Sequence, residues 1–316
     1  MSRHKAPGKS DRKGISLMEL ADMFPDEPTA VRWFEKMRWP DGPQCPHCGS
    51  DQVSACKNSR PMPWRCKACR KHFSVRTGTD MAHSNLKLRK WAFGIYLTAT
   101  SLKGVSSMRL HRDLKITQKS AWFMAHRIRD ALGTPSGSLF AGPVEVDESY
   151  FGGKEKNKPV SQRRKAGRGP AGKTAVVGAK DRATGQVQAR AVNHADGPTL
   201  QGFVKSHTSP GATVYTDEAR AYLGLRRSFN HESVKHSVSE YVRGQAHTNG
   251  IESFWSLLKR GYHGTFHHFS AKHMQRYIDE FATRQGLREA DTIDLMGAVV
   301  SRMIGRRLTY KQLIAN

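Results

Sequence analysis

The chain reads as an α/β protein: a mixed-sheet domain preceded by a cysteine-rich unit and a small helical unit. Three observations predict this. Two CxxC pairs, Cys45/Cys48 and Cys66/Cys69, stand in the first quarter of the chain. Apolar residues recur at helical spacing through residues 84–132. Beyond a Gly/Pro/Ser-rich stretch, Gly133 to Gly142, β-rich runs alternate with helical ones, and two of those runs end in an Asp.

Composition narrows the partner before any motif does. With 316 residues the chain can bury a sizeable core in two or three domains. A net charge of +25 and a pI near 10.2 favour polyanions, with affinity set by counterion release. No run of about 18 apolar residues exists, which excludes a membrane-spanning helix and predicts no membrane partner. Met1 to Lys13 is basic and polar, so it reads as an arm for phosphates and not as a secretory signal. Five cysteines, four of them in CxxC pairs, suit metal binding in a reducing, cytoplasmic compartment better than disulfides.

Residues 1–40 form the basic arm and a helical lead-in. Leu17, Leu20, Met23 and Phe24, then Val31, Phe34 and Met37, recur at helical spacing, with breaks expected at Pro25, Pro28 and Pro40. The cysteine unit occupies residues 41–80. Seventeen residues separate Cys48 from Cys66, a length suited to a β-hairpin between two knuckles. Four thiolates in this spacing predict one structural Zn²⁺ in a closed site, so the zinc is expected to do no chemistry. Arg65, Lys67, Arg70 and Lys71 stand ready on this ribbon for DNA. Residues 84–132 predict three short helices with tight turns, a helix-turn-helix-like module. Thr117 is the expected N-cap of the third helix, and His126, Arg127 and Arg129 are expected on its polar, DNA-facing side.

In residues 140–285 the pattern predicts strands at 143–151, 174–180 and 186–193, a helix at 199–206, and a strand at 212–216. A short helix from Glu218, a strand near 233–238 and helices from Gly250 and over 270–285 follow. Three strands, a helix, then a fourth strand is the order of a ribonuclease-H-like mixed-sheet core. An insertion at 152–173 carries eight basic residues against one Glu and includes Arg163, Arg164, Lys165 and Arg168. It cannot bury a core of its own and reads as a clamp on the DNA backbone. Residues 286–316 form a helical tail.

The acidic signals carry the chemistry. Asp147 follows Val144 and Val146 and points away from them, with Glu145 expected on the face opposite Asp147. Asp217 ends Thr213-Val214-Tyr215-Thr216. On parallel neighbouring strands two such residues share hard cations. Glu252 lies in the first turn of a helix whose Ile251, Phe254, Trp255 and Leu258 form the buried stripe. Asn249 is its expected N-cap. Glu252, Ser256 and Lys259 project from another stripe, where Lys259 reaches toward a phosphate.

These motifs resemble the bacterial insertion-sequence DDE transposases that carry an N-terminal zinc ribbon, the ISXO2-like group. The resemblance runs from about Trp33 to about Gln285 and includes CPHCGS, WRC-x2-C-x2-HFSVRTGT, VEVDESYFGGK, VYTDE-x3-Y and HTN-x-IESFWSLLKRG. It implies a ribonuclease-H-like core and two Mg²⁺ or Mn²⁺ ions per active site. Asp147, Asp217 and Glu252 then take the acidic positions and Lys259 the basic one. Some relatives use Asn as third ligand, so Asn249 competes with Glu252. The implied activity is cleavage at terminal inverted repeats of double-stranded DNA, then joining of 3′-OH ends to target DNA by two-metal phosphoryl transfer. Two ends must be joined together, which implies a homodimer or larger synaptic complex, at work on the bacterial nucleoid. A domesticated, non-catalytic DNA-binding regulator and a ribonuclease-H-like nuclease are the rival readings.

Overall fold

The computed structural model describes residues 12–56, 62–133, 138–153, 158–163, 172–234 and 247–315. The chain divides into two compact units, one drawn from Met1–Thr134 and Glu289–Asn316, the other from Pro135–Arg288.

The first unit opens with α1 (Leu17–Met23), capped reciprocally by Ser16 and Glu19. In α2 (Glu27–Arg38) Asp26 accepts the Thr29 amide at 2.8 Å. Pro28 does not break this segment, contrary to expectation; it sits in the first turn, where a missing N–H costs nothing. Strands β1 (Val53–Ala55), β2 (Trp64–Cys66) and β3 (His72–Phe73) make an antiparallel sheet, one strand more than the expected hairpin. Three helices follow: α3 (Leu88–Thr100), α4 (Ser107–Leu114) and α5 (Gln118–Leu132). Lys115, in the left-handed region at φ 46°, turns the chain between α4 and α5, and Thr117 caps α5 by accepting the Ser120 amide.

The second unit is built on one five-stranded sheet. Its strands are β4 (Val144–Phe151), β5 (Thr174–Asp181), β6 (Val187–Val192), β7 (Thr213–Asp217) and β8 (Asn230–Val234). They lie in the order β6-β5-β4-β7-β8, with β4, β5 and β6 antiparallel and β4, β7 and β8 parallel. Helix α6 (Gly197–His207) and a 3-10 helix, Arg220–Arg227, cover one face. There Val144, Val146, Val177, Phe203, Val214 and Tyr222 form a core. Helices α7 (Asn249–Gly261) and α8 (Ala271–Gly286) cover the other face, over Phe151, Val176, Ile251, Trp255 and Phe281. Period-two alternation along β4 thus splits its side chains between two cores. Where a strand is expected near 233–238, β8 starts earlier, at Asn230, and residues 235–238 lie outside the described residues.

The chain then returns to the first unit as α9 (Thr292–Arg302) and α10 (Tyr310–Ile314). Met296, Val299, Val300 and Met303 enter the core formed by Phe34, Trp91, Ile95 and Ile128. The Asp80 amide donates to Met303 O at 3.1 Å, and Leu308 N–H donates to Asp80 Oδ1 at 2.8 Å.

This return corrects the reading of α5. Arg127 and Arg129 are not on an exposed polar face: they are 6% and 2% exposed, and His126 is fully buried. Arg127 Nε donates to Leu308 O at 3.2 Å, and its guanidinium lies 4.0 Å over the Phe123 ring. The exposed end of α5 is its first turn, Gln118 and Lys119. Among the described residues no helix is long and apolar enough to cross a membrane.

Candidate active site and metal centre

The four cysteines converge. Their sulfurs all lie within 4.8 Å of one another, with Cys45 Sγ to Cys69 Sγ and Cys48 Sγ to Cys66 Sγ both 3.6 Å. Four thiolates tetrahedrally placed at about 2.3 Å from Zn²⁺ stand about 3.8 Å apart, so this donor set fits zinc. The Cys69 amide donates to Cys66 Sγ at 3.4 Å, which helps hold the second knuckle. Arg65, Lys67, Arg70 and Lys71 are all exposed around it.

The acidic residues come from three elements of the second unit. The parallel pairing of Val144 with Val214 and Glu145 with Tyr215 places Asp147 and Asp217 at equivalent points beyond it. Asp147 Oδ1 accepts the Glu148 amide at 2.8 Å, and Oδ2 accepts Trp255 Nε1 at 3.1 Å. Asp217 Oδ1 accepts the Ala219 amide at 3.1 Å. Glu252 is exposed in the first turn of α7, where Thr248 Oγ1 donates to it at 2.7 Å. Ser256 and Lys259 are exposed on the same helix.

Burial, then the charge of Glu148, pushes the Asp147 carboxyl up to about 7, and Asp217 and Glu252 push the same way. Glu148 is raised too, mainly by burial, although Tyr222 Oη donates to it at 2.6 Å. Three carboxylates therefore bear on Asp147, a repulsion that a divalent cation relieves. The donors are hard oxygens, which fits Mg²⁺ or Mn²⁺ and not a soft ion. Among the described residues only the cysteine group brings three or more ligand atoms within 4.8 Å, so the acidic set is more widely spread.

Two placements differ from the sequence reading. The N-cap of α7 is Thr248, and Asn249 is the exposed first residue of the helix. Glu145 lies on the same face as Asp147 and not the opposite one, because residues two apart on a strand share a face. It is 1% exposed and accepts the Ile251 amide at 2.9 Å. Alternation within Val144-Glu145-Val146-Asp147 carried that signal.

Two further residues escaped the sequence reading. Gly178 pairs with Asp147, and a Cβ there would come within 2.7 Å of the Trp255 ring, so glycine lets the indole cross β5 to reach Asp147. Arg182 Nε donates to Glu145 Oε1 at 2.6 Å. Arg163 is exposed and donates to Lys158 O at 2.9 Å, whereas Arg164, Lys165 and Arg168 lie outside the described residues.

Comparison with known proteins agrees in both units. The family model described as ISXO2-like transposase domain matches residues 140–285, and the transposase zinc-ribbon domain matches residues 25–72. A Halobacterium salinarum protein, described as an uncharacterized protein in transposable element ISH50, is 32% identical over 249 residues. That stretch covers 75% of this chain and 83% of the relative. No solved structure matches the chain.

Proposed function

Because this chain belongs to the ISXO2-like transposases with an N-terminal zinc ribbon, we propose that it cleaves DNA at its element's terminal inverted repeats and joins the ends to target DNA. The observation that carries the reading is geometric: parallel β4 and β7 hold Asp147 and Asp217 at equivalent points, and Trp255 of α7, the helix that carries Glu252, donates to Asp147. The strand order, three antiparallel and then two parallel, supports a ribonuclease-H-like core.

Asp147, Asp217 and Glu252 would hold two Mg²⁺ or Mn²⁺ ions, with exposed Asn249 the competing third ligand. Bound cations supply Lewis-acid charge to the phosphate and lower the pKa of water. The chain's own groups do the aiming. Trp255 and the Glu148 amide fix both oxygens of Asp147, the Ala219 amide fixes Asp217, and Thr248 holds Glu252. Lys259, exposed two turns beyond Glu252, meets a DNA phosphate. Water displaces the 3′ oxygen at the scissile phosphate, and the freed 3′-OH then attacks a target phosphodiester in line and displaces the target strand's own 3′ oxygen, which leaves as a 3′-OH.

DNA engagement falls to exposed cations of the first unit. Arg65, Lys67, Arg70 and Lys71 of the ribbon contact the backbone, and α4 and α5 act as a helix-turn-helix. The burial of Arg127 and Arg129 moves the contact to Gln118 and Lys119 at the start of α5, beside Arg109, Arg112 and Lys115. Arg163 serves the clamp, together with Arg164, Lys165 and Arg168. Two ends are joined at once, so the working form is a dimer or larger synaptic complex, in the cytoplasm on chromosomal DNA.

The test is a cleavage and joining assay on DNA from the element's ends with Mn²⁺. Wild type yields 3′-OH ends and strand-transfer products, and Asp217→Asn lowers both by at least about a thousandfold while DNA affinity holds. Hydrolysis without joining would favour a nuclease, and DNA binding without cleavage a regulator.

A further inference from the structure

We propose that Glu145 and Arg182 are a positioning pair that sets the relative placement of the three carboxylate-bearing elements. The proposal rests on reading Asp147, Asp217 and Glu252 as cation ligands.

Each of those residues stands two positions beyond a member of one cluster, of which Glu145 and Tyr215 are buried and Gly250 partly so. Glu145 precedes Asp147 on β4, Tyr215 precedes Asp217 on β7, and Gly250 precedes Glu252 on α7. Arg182, in the turn after β5, touches two of these elements, β4 and β7, and the segment that leads into the third. Its Nε donates to Glu145 Oε1 at 2.6 Å, and its guanidinium carbon lies 4.4 Å over the Tyr215 ring. Its Nη2 donates to His247 O at 2.7 Å, just ahead of α7.

Glu145 closes the joint from the other side. Its Oε2 accepts the Ile251 amide at 2.9 Å, an otherwise unpaired N–H at the start of α7. His247 Nδ1 lies 3.4 Å from its Oε1. Lys180, the cross-strand neighbour of Glu145, donates to Gly250 O at 3.2 Å. The fit leaves no room at Gly250: a Cβ there would stand 2.6 Å from Glu145 Oε2 and 3.0 Å from Lys180 Nζ.

A carboxylate this buried, paired with a guanidinium and aimed at a helix amide, fixes direction as well as distance. Glu145 and Arg182 are therefore positioning residues and touch neither cation nor DNA. An error of about 1 Å in ligand placement is enough to degrade such a site.

Two variants test the joint without stripping a buried charge of its partner. Gly250→Ala pushes the N-terminus of α7 off Glu145, and alanine is a good helix residue, so the fold is retained. Arg182→Lys keeps the charge but loses the fork. Two readouts need no activity: Mn²⁺ affinity by electron paramagnetic resonance of the free ion, and hydrogen exchange of the 247–261 peptide. Each variant is expected to weaken Mn²⁺ binding about tenfold and to speed exchange in the first turn of α7 about tenfold, with exchange of β6 unchanged. Wild-type Mn²⁺ affinity and wild-type exchange in both folded variants would overturn the proposal. Wild type that binds no Mn²⁺, with α7 still loosened in the variants, would support the joint and defeat the cation reading instead.

Discussion

Asp147→Asn is expected to stabilise the protein at pH 8 and to leave its stability nearly unchanged at pH 5. The carboxyl is held at about 7 against an ordinary 3.8, chiefly by burial and the charge of Glu148. At about 1.4 kcal/mol per pH unit, charging it inside the fold costs up to about 4 kcal/mol above pH 7, and water access leaves roughly half of that. The native state holds this proton more tightly than the unfolded chain does, so stability falls as pH rises from about 4 to about 7. Asparagine removes that cost. It also offers one acceptor where Asp147 uses two, for the Glu148 amide and Trp255 Nε1, which loses about 1 kcal/mol. The net result is a gain of about 1 kcal/mol at pH 8 and almost no change at pH 5, where about 0.8 kcal/mol of the charging cost is already present and offsets the lost acceptor. Hydrogen exchange of the 144–151 peptide, in zinc-loaded protein without other divalent ions, reads the second unit by itself. About fivefold slower exchange than wild type at pH 8 and exchange within about twofold of wild type at pH 5 are expected. Faster exchange at both pH values would refute the charge-crowding account.

Further outcomes follow from the same contacts. Removing zinc by chelation is expected to abolish protection in residues 45–73 and to leave the 174–181 peptide unchanged, as hydrogen exchange will report. Arg127→Ala is expected to cost about 2–3 kcal/mol through its lost bond to Leu308 O, without altering the salt slope of DNA binding. Lys119→Ala, in contrast, should lower that slope by about 1 at unchanged stability, measurable by titration across salt concentrations. Gly178→Ala is expected to destabilise the second unit by about 1–3 kcal/mol in denaturant unfolding, because the new methyl meets the Trp255 ring.

What was legible in the sequence was local. The CxxC spacing, the Thr117 cap and the alternation around Asp147 and Asp217 are short-range patterns, and the structure places the zinc-type centre and both strands accordingly. Distant contacts were not legible. Arg127 and Arg129 sit where a polar helix face was expected, and Arg127 is buried by a partner 181 positions away. Arg182 is an ordinary turn arginine until α7 returns to it. Glu145 was open to the same two-residue period that placed Asp147, and its face was still misassigned. Thr248 in place of Asn249 as N-cap is a shift of one residue, the usual margin at a helix end.

The most direct test of the account is anomalous diffraction from crystals of the protein grown with Mn²⁺ and DNA from the element's ends. Manganese density bounded by carboxylate oxygens of Asp147, Asp217 and Glu252 is the expected result. Manganese held by Asn249 in place of Glu252 would revise the third ligand, and an ordered complex with no manganese at Asp147 and Asp217 would contradict the account.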